Sequence, residues 1–247
     1  MRVIVIMKSV FVMWQDSTGS RMWHPVAKLT QEASSRYVLN YTKGADHTNF
    51  SFFPSMLDTS KSYSSERLFS FFKNRLISES RPEHDSMFEW SGLSADSKDY
   101  LELLAISGGE KKTDHFRIVN IPENEDGFYR IKFFISSINY LTDIERNNVK
   151  ELKPTDQLTY QFDLENDIDS NATILLKDNA KKVGYLPHYL CKDLKNLLRY
   201  LKDSDIEISV LKVNPDAPAQ FKILCELKAS WPDGFDAFND EEFSMYS

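Results

Sequence analysis

The length, composition and charge of the chain are those of an ordinary globular protein. It has 247 residues, 41% of them hydrophobic and 27% charged, so it can bury a core as one large domain or as two domains of ordinary size. The formal net charge of -7 argues against a protein that coats bulk DNA by neutralising many phosphates. Two cysteines exclude a disulfide framework and a cysteine-rich zinc site, and they favour buried, reduced thiols in a cytoplasmic protein.

The first 120 residues are predicted to form a small α+β module. Apolar, β-branched and aromatic runs predict strands, and apolar residues at helical spacing predict helices. The predicted elements are strands at 10–13 and 36–41, and helices at 64–80 and 97–108. Ser64 is expected to cap the first of these helices, and Gly108 to end the second.

The second region is predicted to run from residue 121 to residue 230 and to be rich in strands. Residues 121–127 are predicted to form a linker or long turn, because they are rich in turn-forming residues. The predicted elements after it are strands at 128–135, 157–164 and 172–176, a short strand from 181, a helix from about 187 to 201, and strands at 206–213 and 221–229. Residues 231–247 contain five acidic and no basic residues, which predicts a solvated acidic tail whose aromatic side chains dock on the domain or on a partner.

Standard signatures of catalysis are absent from the sequence, which contains no phosphate-binding glycine loop, no GxSxG and no HExxH. Glu83, His84 and Asp85 are adjacent, but consecutive loop residues do not converge on one metal ion. We therefore expect no catalytic residue, no metal and no cofactor, and an enzyme acting on nucleic acid is the weakest hypothesis. No apolar stretch approaches the roughly 20 residues of a membrane span, so no membrane partner is expected.

One segment combines a turn rich in Asn and Asp with a glycine turn into a proline-started helix. The turn is Asn166-x-x-Asp169-x-Asn171-Ala172, and residues 183–187 read Val-Gly-Tyr-Leu-Pro. With the leucine-rich helix that follows, this pattern resembles the HIRAN domain over roughly residues 125–229. Residues 133–140 look like the first strand of that family. Taken alone, the turn could serve only to shape the fold.

The resemblance implies an OB-like β-barrel with added helices that captures the 3′ end of single-stranded DNA. In the family, the last base lies between aromatic side chains and an Asp binds the terminal hydroxyl, so Tyr140 is expected to stack and Asp169 and Asn166 to contact the sugar. The sequence departs from the family pattern at Asn139, where a basic residue is usual, and at Ile168, where a second aromatic residue is usual.

Local charge adds candidate phosphate contacts. Residues 171–202 contain seven basic and two acidic residues, in a chain that is acidic as a whole. Four of the basic residues are spaced to form one stripe on a helix, although a stripe of this kind is equally typical of a solvated face. The candidate nucleic-acid-binding residues are Asn139, Tyr140, Asn166, Asp169, Lys181, Lys182, Tyr185, Lys192, Lys195 and Arg199, with Lys202 completing the stripe.

The N-terminal region has a less specific resemblance of its own. Residues 26–29, 37–41, 53–56 and 63–76 look like the small N-terminal subdomain of HipA-type kinases, and no kinase body follows. The resemblance implies an alternative function, an antitoxin-like regulator that binds a separate HipA-type kinase. The first hypothesis is a non-catalytic, bacterial, cytoplasmic DNA-binding protein that assists in DNA repair or phage defence.

Overall fold

The computed structural model describes residues 8–32, 36–94, 96, 99–111, 113–167 and 169–246. The chain divides into two compact units. The first comprises the described residues within Met1–His84, Asp99–Ile121 and Phe238–Ser247, and the second those within Asp85–Lys98 and Pro122–Ala237. The sequence predicts continuous segments, whereas residues 85–98 belong to the second unit and the end of the tail to the first.

The described residues contain five α-helices and eleven β-strands. The helices are α1 (Ser70–Lys73), α2 (Glu83–Trp90), α3 (Tyr100–Ser107), α4 (Asp143–Lys150) and α5 (His188–Leu197). The strands are β1 (Lys8–Gln15), β2 (Trp23–Gln31), β3 (Tyr37–Tyr41), β4 (Tyr63–Ser65), β5 (Phe116–Asn120), β6 (Phe128–Phe134), β7 (Gln157–Phe162), β8 (Thr173–Lys177), β9 (Lys181–Tyr185), β10 (Ile206–Val213) and β11 (Ile223–Ser230). None of the helices in the described ranges combines the length and the apolar character that crossing a bilayer requires.

The first unit is built on a five-stranded antiparallel sheet with the order β4-β3-β2-β1-β5. Its core is aromatic, since Tyr41, Phe53 and Phe72 are buried together with the apolar residues of β1 and β2. The strands predicted at 10–13 and 36–41 are confirmed as parts of β1 and β3. The predicted α+β character of this region is therefore what the structure shows.

The helix predicted to begin at Ser64 is wrong. Tyr63–Ser65 instead forms strand β4, which pairs with β3, and only Ser70–Lys73 is helical. Sheet pairing outweighs the weak local preference for a helix here. The apolar residues of the segment still reach the core, since Phe72 is fully buried and Leu68, Phe69 and Phe71 pack against it.

Helix α3 ends as predicted. Gly108 follows it with a φ of 80°, and its N–H donates to the carbonyl oxygen of Leu104. Asp99 caps the start of the helix by accepting a hydrogen bond from the N–H of Glu102. Ser97, where the sequence placed the start, lies outside the described residues.

The second unit is built on a six-stranded antiparallel sheet with the order β6-β11-β10-β7-β8-β9. Every strand predicted between residues 128 and 229 is present. The predicted OB-like barrel is not closed, because the two edge strands, β6 and β9, share no continuous ladder. A single bridge joins them, in which the N–H groups of Ser136 and Tyr185 each donate to the other's carbonyl oxygen at 2.9 and 3.0 Å.

The aromatic side chains of the acidic tail dock on the protein, as predicted, while most of its acidic side chains are exposed. Phe235 is buried against Tyr129 and Trp231 in the second unit. Phe238 and Phe243 pack against Phe11 in the first unit. Phe235 and Phe238 are buried, which favours docking of the segment. Lys43 contacts Glu241, and His24 contacts Glu242.

Candidate nucleic-acid interface

The turn predicted between β7 and β8 is held by the side chains of its own Asn and Asp residues. The carbonyl oxygen Oδ1 of Asn166 accepts a hydrogen bond from the N–H of Asp169 at 2.9 Å. Main-chain bonds between Asp163, Asp169 and Ala172 close the loop. Asn166 therefore shapes the turn, as its residue type predicts, whereas Ile168 lies outside the described residues.

Asp169 is bound by groups on two elements. Its Oδ1 accepts from the N–H of Asn171 at 2.8 Å, and its Oδ2 lies 2.6 Å from Nδ1 of His188, the first residue of α5. Burial alone would raise the pKa of this carboxyl, but the hydrogen bonds from His188 and Asn171 lower it below the ordinary value of 3.8. A carboxylate can accept about four hydrogen bonds, so Asp169 can accept a further hydrogen bond from a hydroxyl group of a ligand.

Tyr140 is the most exposed aromatic residue of this unit. It ends a short 3-10 helix, Ile138–Tyr140, and is 89% exposed. Ser137 begins the turn in the left-handed conformation, with a φ of 67°, and the N–H of Tyr140 donates to its carbonyl oxygen. The neighbouring Asn139 is also exposed. The turn follows Ser136 directly, and Ser136 is bonded to Tyr185, so the turn is attached to the end of β9.

Tyr185 has a structural role in addition to any contact with a ligand. Its hydroxyl donates to Oδ2 of Asp163 at 2.8 Å, and Nζ of Lys182 donates to the same hydroxyl at 3.1 Å. The ammonium of Lys182 also lies 4.5 Å from the centre of the tyrosine ring. The end of β9 thus brings together the 163–172 loop, the Tyr140 turn and the start of α5.

The positive charge predicted around β9 is largely neutralised by acidic residues from elsewhere in the chain. Lys181 pairs with Glu151 at 2.7 Å, Lys182 lies 3.6 Å from Glu145, and Lys177 lies 3.1 Å from Asp156. The local count from residues 171–202 omitted these partners, which precede it in sequence. Lys181 also begins β9, about 13 Å along the strand from Tyr185 at 3.3 Å per residue.

The predicted basic stripe is shorter than the sequence suggested. Helix α5 ends at Leu197, so Arg199 and Lys202 lie beyond it and do not continue the face that carries Lys192 and Lys195. Lys192 and Arg199 are exposed. Lys195 donates to the carbonyl oxygen of Ser170 at 3.0 Å and to Oδ1 of Asn171 at 2.8 Å, which ties α5 to the candidate site.

Two residues of this region were missed by the sequence analysis. His188 belongs to no motif in the sequence, although it is the partner of Asp169. Phe162 lies under the ammonium of Lys195, with 5.0 Å between Nζ and the ring centre. Both pairs join residues far apart in sequence, so no local spacing could have revealed them.

Within the described ranges, no three His, Cys, Asp or Glu side chains are placed to hold a metal ion. Both cysteines are buried and unpaired, as predicted. Burial raises the pKa of the Cys191 thiol to about 12 and raises that of Cys225 as well. Such thiols are poor nucleophiles and poor metal ligands.

The family model of the HIRAN domain matches residues 128–231, which include the turn, β9 and α5 described above. This part of the chain is a HIRAN domain. Two solved structures are similar to the chain. One is a crystal structure of a protein from Lactobacillus plantarum, with 17% identity, coverage of 42% of this chain and 97% of that one, and a TM-score of 0.32. The other is the crystal structure of the HIRAN domain of human HLTF, with 18% identity, coverage of 49% and 93%, and a TM-score of 0.33. Comparison with curated proteins gave no match.

Proposed function

We propose that the HIRAN domain of this chain binds single-stranded DNA at its 3′ end, without catalysing a reaction. The observation that carries the proposal is the side chain of Tyr140, which is 89% exposed on a turn attached to the end of β9. An aromatic ring held in water on a fixed turn is a platform on which any base can stack. The resemblance to the family, together with the match of its model, supports this role for Tyr140.

The terminal sugar is assigned to Asp169. Its carboxylate is oriented by His188 and Asn171 and is charged at neutral pH, so it is suited to accept a hydrogen bond from a 3′-hydroxyl. Asn166 supports Asp169 by shaping the turn. Lys192 and Lys195 on α5, and Arg199 in the turn after it, are the proposed phosphate contacts, because Lys195 ties α5 to the loop that carries Asp169. Lys181 and Lys182 are held by Glu151 and Glu145.

The proposed biological setting is that of an accessory protein in DNA repair or phage defence, inside the cytoplasm of a bacterium. This setting is drawn from the family resemblance. Binding of a DNA end through one stacked base and one hydrogen-bond acceptor needs few phosphate contacts. Such binding is therefore compatible with the net charge of -7.

The alternative function, regulation of a separate HipA-type kinase, would use the first unit. Many aromatic side chains of that unit are buried in its core, among them Tyr41, Phe50, Phe53 and Phe72, so they are not available to a protein partner. The alternative therefore has less support than DNA binding. It predicts that a kinase co-purifies with the full chain whether or not Tyr140 is intact.

The proposal is tested by replacing Tyr140 and measuring the affinity for a fluorescent single-stranded oligonucleotide. Tyr140→Ala should weaken binding about 5- to 150-fold, because base stacking contributes about 1–3 kcal/mol. Tyr140→Phe is the matched control and should bind as the wild type does, since the ring is kept. Both variants should unfold at the wild-type temperature, because the side chain is almost fully exposed.

Two results would contradict the assignment. If Tyr140→Ala binds the oligonucleotide as tightly as the wild type, the ring does not stack on a base. If Tyr140→Phe loses as much affinity as Tyr140→Ala, the hydroxyl and not the ring makes the contact.

A further inference from the structure

Residues 238–246 of the tail belong to the first unit and lie on its surface. Their main chain meets the sheet just after β3, where an antiparallel bridge pairs Met245 with Thr42. Beside this bridge, the N–H of Lys43 donates to the carbonyl oxygen of Ser244 at 2.9 Å. Addition of a segment to the edge of a sheet is one of the ways in which proteins bind peptides. The segment is therefore placed on the first unit as a bound peptide would be.

Aromatic side chains anchor the segment. The ring centres of Phe238 and Phe243 lie 5.8 and 4.8 Å from that of Phe11 on β1, and the two rings stack on each other at 5.0 Å. Phe11 and Phe238 are both buried. A third aromatic residue, Tyr246, donates its hydroxyl to the carboxylate of Asp46. Buried aromatic anchors of this kind supply much of the affinity in protein interfaces.

The surface that receives the segment also matches its charge. Nζ of Lys43 donates to Oε1 of Glu241 at 2.8 Å, and Nδ1 of His24 lies 3.1 Å from Oε1 of Glu242. The segment has three acidic residues and no basic residue, in a chain whose net charge is -7. Overall charge therefore repels the segment, so its docking depends on these local contacts.

The contacts that hold the segment are few enough for it to leave. Of residues 238–246, Phe238 is buried and the others are exposed or half-buried. The carboxylate of Glu241 is 82% exposed, and exposed ion pairs contribute little to stability. A segment with so little buried surface opens at a lower free energy than the domain that carries it.

The residues of the first unit that contact the segment form what we call the Phe11 surface: Phe11, His24, Thr42, Lys43 and Asp46. We propose that the Phe11 surface binds a protein partner through a segment of the same chemistry, in which aromatic residues flank consecutive acidic residues. Residues 238–246 are then an intramolecular competitor that the partner displaces. This inference does not depend on DNA binding at Tyr140.

The experiment measures binding of the full chain to a fluorescent peptide with the sequence of residues 237–247. The wild type should bind the peptide weakly, because its own segment occupies the surface at a high effective concentration. Phe243→Ala should raise the affinity about tenfold, since the competing segment loses its contact with Phe11. Glu241→Lys should also raise it by reversing the charge opposite Lys43. The side chain of Glu241 is exposed, so this second variant keeps the test valid if Phe243→Ala does not fold.

The controls separate a specific surface from a general effect of charge. Lys43→Glu, introduced together with Phe243→Ala, should abolish the gain in affinity, because it places a negative charge opposite the acidic peptide. Lys73→Glu in the same background is the matched control, since Lys73 is an exposed lysine on α1. A peptide of the same composition in scrambled order should not bind.

Tighter binding by Phe243→Ala and Glu241→Lys, lost with Lys43→Glu and kept with Lys73→Glu, would support the inference. Equal affinity of the wild type and these two tail variants for the peptide, or equal binding of the scrambled peptide, would overturn it. Dimerisation of the wild type that Lys43→Glu abolishes would also overturn it, because a second copy of the chain would then occupy the Phe11 surface. Tyr140→Ala should bind the peptide as the wild type does, so failure of this inference and failure of DNA binding are distinguishable.

Discussion

At the scale of single residues, Tyr140 and Tyr185 belong to the same predicted site but differ in how exposed their side chains are. Tyr185 is half-buried and its hydroxyl is bonded to Asp163 and Lys182, so it holds the end of β9 in place. Tyr140 is 89% exposed, and its ring is free to receive a base. Both residues were candidates in the sequence, and the structure distinguishes the bonded tyrosine from the exposed one.

The pair of Asp169 and His188 could not have been predicted from spacing, because it joins a loop to a helix. Its effect on stability can be tested by pH. The pKa of Asp169 is lowered on folding, so the carboxylate stabilises the fold above its ordinary pKa of 3.8, and this contribution is lost as the pH falls through the lower folded value.

Asp169→Asn should therefore be less stable than the wild type at pH 7, and the difference in free energy of unfolding should shrink at pH 3. At the lower pH the wild-type carboxyl is increasingly protonated and loses its charge-assisted bonds to His188 and Asn171. Urea denaturation of both proteins at the two pH values measures the difference. A difference that is the same at both values would show that the charge of Asp169 plays no part in stability.

At the scale of elements, the close approach of β6 and β9 depends on Gly184. Its φ is +144°, and a Cβ atom at this position would lie 2.3 Å from Cγ2 of Ile135 and 2.8 Å from the carbonyl oxygen of Ser136. Both the conformation and the space exclude a side chain. The glycine of the Val-Gly-Tyr-Leu-Pro motif therefore permits the bridge that attaches the Tyr140 turn to β9.

Gly184→Ala should destabilise the domain by more than about 1–3 kcal/mol, the usual cost of backbone strain, because the clash with Ser136 adds to the strain. Gly127→Ala is the matched control. Gly127 also has a positive φ, of 82°, but no atom within 4 Å of its Cβ position, so only the strain applies. Chemical denaturation of both variants gives the comparison. Equal destabilisation of the two would mean that the contact between β6 and β9 is not tight.

The strands of the HIRAN domain were predictable because their apolar and β-branched residues stand out in the sequence. Helix α4 was missed even though Thr142 and Glu145 carry the capping-box pattern, because few apolar residues follow it. The predicted helix at Ser64 was wrong because Tyr63–Ser65 pairs with β3, a contact between residues distant in sequence. Helix α5 was predicted to reach about residue 201 but ends at Leu197. The local sequence pattern thus predicted which residues are buried better than it predicted their secondary structure.

At the scale of the whole molecule, the distribution of charge over the structure could not be predicted from the sequence. The net charge of -7 was known from composition, but the pairing of Lys177, Lys181 and Lys182 with Asp156, Glu151 and Glu145 required the structure. These three lysines would have to leave their acidic partners before they could contact phosphate. An acidic chain with few available cations should rely on stacking and on one hydroxyl acceptor more than on phosphate contacts.

The most direct test of the central claim is the affinity of the full chain for a single-stranded oligonucleotide at low salt, with either a 3′-hydroxyl or a 3′-phosphate at its end. The hydroxyl form should bind more tightly, because the carboxylate of Asp169 accepts a hydrogen bond from a hydroxyl and repels a phosphate. Equal binding of the two forms would contradict capture of the end. Absence of binding to either form, even at low salt, would contradict the claim that this HIRAN domain binds single-stranded DNA.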